Sequence, residues 1–188
     1  HEELRAPPGL RNDPLKGQDL EDARGVIFAP TALARENGAH SWQALKKLGT
    51  DAFKAGLLWP AEAAYQLAVS EGGKVPDSEA SLIHSNRALV LLKAGHPAEA
   101  AEAAAEALER DPSNAKAAFR RATALLERSN GCREAETSAA AAAEARDLAR
   151  EAVEAAAKAV ALEPKDKNVA DLAARSRQRL EAMEALAG

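Results

Sequence analysis

Residues 81–114, SLIHSNRALVLLKAGHPAEAAEAAAEALERDPSN, read as a helix, a turn at Gly95-His96-Pro97, a second helix full of alanine, and a stop at Asp111-Pro112. The same order starts again at Ala115, which sets a period of about 34 residues. No other feature of the chain limits its fold as strongly. A hairpin of two amphipathic helices cannot bury its apolar face alone, and a repeated one buries it against the next copy. Residues 42–76 fit the same frame: LKKLGTDAFKAG, a turn through residues 57–60, then AAYQLAV. Gly49, Ala61, Tyr65 and Ala68 fall on the small and aromatic positions of the unit, where helix axes must approach closely. The loop that follows, EGGKVPDSEA, is about five residues longer than the minimal unit requires.

The third copy opens with AKAAFRRATALLERSNG and closes with AREAVEAAAKAVALEP, with extra chain between Ser129 and Glu151. Aligning Pro164 with Pro112 gives an excess of about 18 residues, close to five turns at 3.6 residues per turn. The inserted REAETSAAAAAEARDLAR has no glycine or proline and is a strong helix former. One long second helix is therefore expected, from about Cys132 to about Leu162, projecting its first five turns beyond the stack. Residues 166–187 are expected to form a final helix whose Val169, Leu172, Leu180, Met183 and Leu186 seal the open end of the core. The period and helix order are similar to those of the tetratricopeptide repeat. The expected fold is all-α: a right-handed α-solenoid of three such hairpins over about 42–80, 81–114 and 115–165, with a capping helix at 166–187, the whole domain spanning 41–188.

Residues 1–40 differ from the rest. HEELRAPPGLRNDPLKGQ carries prolines and glycines without a periodic apolar face, so an irregular N-terminal arm is expected, held against a partner or the helical domain through Phe28 and its neighbours. A net charge of −4 and the lack of a basic stripe with interleaved aromatics argue against nucleic acid as partner. No apolar run reaches the ~18–20 residues of a membrane span. Cys132 is alone, so neither a disulfide nor a metal cluster can be drawn around it, and no cofactor is expected. The chain opens at His1 rather than methionine, as a processed product or a piece of a longer protein would. The cytoplasm is favoured, with an organelle interior as the other compartment.

The candidate site lies on the first helices. Lys116 and Arg120, four residues apart in NAKAAFRRATALL, share one helix face and repel by ~0.2–0.5 kcal/mol. No acid within the stretch relieves them, Asp111 being the nearest. Such a pair is commonly a solvated face, but it also suits an anion arriving from outside. The groove-facing positions of the three first helices are Lys46 and Thr50, then Asn86, then Lys116 and Arg120, carried by LKKLGT, HSNRA and AKAAFRRA. These motifs resemble the carboxylate-clamp class of tetratricopeptide domains, found in co-chaperones that bind the C-terminal tails of cytosolic heat-shock chaperones. That class has Lys and Asn in LKxxGN, Asn in SNR, and Lys with Arg in KxxxR. Four of the five match, and Thr50 replaces an asparagine, which removes an amide donor.

The resemblance implies a peptide ending in aspartate, with Lys46 and Asn86 on the terminal carboxylate and Lys116 and Arg120 on the neighbouring acid. Phe53, Leu89 and Phe119 would pack beside it. His84 and His96 lack catalytic or metal partners, and Arg87 and Arg121 are expected to pack their stems between helices. No nucleophile–base pair, phosphate loop or paired acid can be assembled, so an enzyme is not expected. Two roles remain: docking the acidic tail of a heat-shock-type chaperone or similar peptide, or serving as a structural subunit of a larger assembly through the arm and the projecting helix.

Overall fold

The computed structural model describes residues 41–70, 74–132 and 138–186, so the arm expected over 1–40 lies outside the described residues. Among those residues there are seven helices and no strand: α1 (Trp42–Lys54), α2 (Leu58–Ser70), α3 (Asp77–Lys93), α4 (Pro97–Arg110), α5 (Ala115–Gly131), α6 (Ala139–Leu162) and α7 (Lys167–Ala185). None is long and apolar enough to cross a membrane. Local chemistry sets the boundaries. Ser41, Asn114, Ser138 and Asp166 each cap a following helix by accepting a backbone N–H in its first turn. Pro97 opens α4, where its missing N–H costs nothing.

α1 and α3 end alike. Gly56 and Gly95 take φ of +80° and +79°, and the next residues, Leu57 and His96, donate backbone N–H bonds of 2.9 Å to Ala52 and Leu91. These are left-handed glycine stops that turn the chain straight into the partner helix. The first turn is shorter than the sequence suggests, because residues 58–60 already form the start of α2 and bury Trp59 and Pro60. A proline in a first turn displaces no helical hydrogen bond, so it need not mark a loop.

Each hairpin packs on the next through small residues. Ala100, Ala103, Ala104 and Ala107 of α4 and Ala117, Ala118, Ala122 and Ala124 of α5 are fully buried. Gly49 lies directly under the buried Tyr65 ring. The buried Ser81 hydroxyl donates to the Ala107 carbonyl at 2.7 Å and accepts from the Asn114 side chain at 2.8 Å, joining α3, α4 and the cap of α5. Ser129 repeats the device one unit on. It donates to the Ala145 carbonyl at 2.7 Å and accepts from Arg179 Nε at 3.0 Å, joining α5, α6 and α7.

The third hairpin departs from expectation in two respects. α6 has 24 residues against 14 in α4, so its second helix is extended, but it starts at Ala139 under the Ser138 cap rather than near Cys132. It also does not stand clear of the stack for five turns. From Ala145 onward its apolar face is buried, and Ala145 packs with Met183 and Cys132, so only about the first turn and a half is free of the core. The added helix has found partners because α7 is itself 19 residues long. α7 seals the core with Val169, Leu172, Ala173 and Met183; Leu180 is half-buried and Leu186 is exposed.

Candidate functional site

The first helices of the hairpins form the inner wall: α3 touches α5, and α5 touches α7, across the stack. On α5 the residues Lys116, Arg120, Thr123 and Glu127 recur at helical spacing and make one stripe. The matching stripe on α3 is Glu79, Leu82, Asn86, Leu89 and Lys93, with Leu82 exposed. A groove of about 510 Å³ opens between these stripes and the start of α7. Its floor is apolar, from Leu89, Leu92, Phe119 and Val169, and its rim is charged, with Lys93 from α3, Lys116, Arg120 and Glu127 from α5, and Glu163 and Asp166 from the α6–α7 turn.

Arg120 is the centre of the site. It is half-buried, and its guanidinium donates to the Ser85 hydroxyl at 2.6 Å and to the Asn86 side-chain oxygen at 3.5 Å. Both partners are neutral. Among the described residues no carboxylate pairs with it, and burial pushes its pKa below the ordinary value, a penalty on the charged form that an incoming anion would relieve. Asn86 is held beside it with its amide nitrogen directed to no described partner. Lys116, one turn away, is exposed and also unpaired among the described residues. Asp111 does not relieve it: its carboxylate accepts the Ser113 hydroxyl at 2.6 Å and the Ser113 N–H at 2.9 Å, which hold its pKa below the usual carboxylate range.

The α1 end is different. Lys46 Nζ lies 2.6 Å from Glu79 Oε2, so this cation already has a counter-ion from the first turn of α3. The Thr50 hydroxyl donates to the Lys46 carbonyl at 2.9 Å, which spends its one proton, and then accepts from the Tyr65 hydroxyl at 3.1 Å. Thr50 therefore serves the packing of α1 on α2. Phe53 sits at the edge of the first-hairpin core with Lys93 Nζ 5.9 Å above its ring, while Leu89 and Phe119 line the groove itself. The structure thus gathers Asn86, Lys116, Arg120, Leu89 and Phe119 and sets Lys46, Thr50 and Phe53 to one side.

Sequence reasoning missed Glu79, Lys93, Ser85 and the acids of the α6–α7 end. One signal was present: Lys46–Glu79, Arg120–Ser85 and Arg120–Asn86 are separated by 33, 35 and 34 residues, each close to one repeat. Adding the period to a groove residue finds its cross-helix partner.

No protein-family model matches the sequence. Solved structures do match. The first tetratricopeptide domain of Spaghetti (RPAP3), bound to the HSP90 peptide SRMEEVD, superposes with a TM-score of 0.58 at 20% identity, covering 76% of this chain and 98% of that one. The second such domain of human RPAP3, in complex with the HSP70 peptide SGPTIEEVD, gives 0.55 at 23%, covering 71% and 92%. The TPR2B domain of yeast Sti1 in its complex with pHsp70 gives 0.53 at 21%, covering 73% and 97%. The fold is that of a tetratricopeptide solenoid.

Proposed function

We propose that this solenoid is a protein-interaction module whose inner groove docks an acidic C-terminal peptide, of the kind that ends a heat-shock-type chaperone. The observation that carries the reading is Arg120, a half-buried guanidinium hydrogen-bonded to neutral groups, beside the open cation Lys116 and the amide of Asn86. A carboxylate placed there gains charge-assisted bonds of about 1.5–3 kcal/mol each. Support comes from the similar structures, two of which hold peptides ending in Glu-Glu-Val-Asp. An assembly role would draw on residues 1–40, which lie outside the described part of the chain.

A short peptide ending in free aspartate is expected to bind with micromolar, salt-sensitive affinity, and its C-terminally amidated form at least about tenfold more weakly, by calorimetry. Lys116→Ala with Arg120→Ala should remove the binding while circular dichroism keeps its helical signal. Equal affinity for acid and amide would end the proposal.

The Lys46–Glu79 pair has a consequence for this reading. A ligand carboxylate reaches Lys46 only by displacing Glu79, so that cation contributes little net affinity in the native chain. Glu79→Gln keeps the side-chain shape and removes the competitor. It should tighten peptide binding about threefold, the scale of a partly exposed ion pair, and make Lys46→Ala more damaging than in the native background. Unchanged or weaker binding by Glu79→Gln would show that Lys46 takes no part.

A further inference from the structure

The groove is not uniformly basic. Lys93 comes from α3 and Lys116, Arg120 and Glu127 share the α5 stripe, whereas Glu163 and Asp166 come from the α6–α7 turn. None of the six makes an ion pair among the described residues. Each acid has its own setting. Arg175 acts electrostatically on Glu127 from outside the groove, and Asp166 accepts the backbone N–H of Asn168 and Val169 as the cap of α7. Glu163 is exposed, with no side-chain partner among the described residues.

We infer that the ligand is a mixed-charge segment, with its acidic C-terminal end on Lys116 and Arg120 and a lysine or arginine a few residues upstream facing Glu163 and Asp166. The inference rests on the docking reading above and narrows its ligand. A wholly acidic tail gains at Lys116 and Arg120 and is repelled at Glu163 and Asp166. A basic upstream residue gains at both.

The test uses the full chain and three short peptides that share a free C-terminal aspartate and differ at one upstream position, which is lysine, alanine or glutamate. That position is moved stepwise along the peptide. Lysine should bind best and glutamate worst at one or two placements, with about a three- to tenfold spread that narrows in high salt. Glu163→Lys places a cation at the C-terminal end of α6, where the helix dipole favours it, so folding is kept; with Asp166 it leaves no net charge there, and the preference for lysine should disappear. Equal binding of the three peptides at every placement overturns the inference and leaves carboxylate docking intact. A preference that survives Glu163→Lys overturns it equally. If no free-acid peptide of the set binds, docking itself fails and this inference with it.

Discussion

Arg87→Ala is expected to cost about 3–5 kcal/mol of folding stability, the largest loss of any single substitution considered for this chain. Arg87 Nε lies 2.8 Å from Glu62 Oε1, and the Glu62 side chain is only 4% exposed. Removing the guanidinium leaves a carboxylate stranded between α2 and α3 with neither water nor a counter-ion. Arg87 also reaches Glu106 at 3.6 Å, while His84 Nδ1 sits 2.9 Å from the same Glu106 oxygen. Burial lowers the His84 pKa against the pull of Glu106. Chemical denaturation should show the loss directly. Adding Glu62→Gln to Arg87→Ala should recover part of it, because the charge is what the interior penalises. A loss below about 1 kcal/mol would mean that the stem of Arg87, packed between helices, matters and the ion pair does not.

Gly49→Ala sets two effects of opposite sign against each other. Alanine in mid-helix is favoured over glycine by about 1 kcal/mol. A Cβ at position 49 would stand 2.8 Å from two ring carbons of Tyr65, which real Cβ contacts essentially never show. The ring is 2% exposed and its hydroxyl is bonded to Thr50, so it cannot swing aside cheaply. Overpacking of this kind costs typically 1–3 kcal/mol and here includes a broken hydrogen bond, so the net change is expected to be a loss of about 2 kcal/mol. Tyr65→Leu removes the obstacle. In that background Gly49→Ala should become neutral or stabilising, and this reversal distinguishes a steric clash from a general intolerance of position 49. No reversal would place the constraint elsewhere.

These two sites show how far the chain was legible. Gly49 and Tyr65 were recognisable as crossing-point residues, because a 34-residue period assigns every position a place relative to its neighbours. Arg87 was read as a packing stem, since nothing local ties it to Glu62, which lies 25 residues earlier in another helix. The same division runs through the site. Lys116 and Arg120 stood out as an uncompensated pair, and Asp111, the nearest acid in sequence, is held by Ser113.

By itself the sequence determined the hairpins and their order, because caps, glycine stops and alanine faces act over one helical turn or one repeat, though it misplaced the starts of α2 and α6. It also marked which helix faces carry unopposed charge. Only the tertiary structure decided what that charge meets: Lys46 is taken by Glu79, Thr50 by Tyr65, Arg120 is left with neutral partners, and Glu163 and Asp166 line the same groove. The reason is physical. Such pairings depend on the rotation and offset of one hairpin against the next, which packing sets across the whole stack and no single segment encodes.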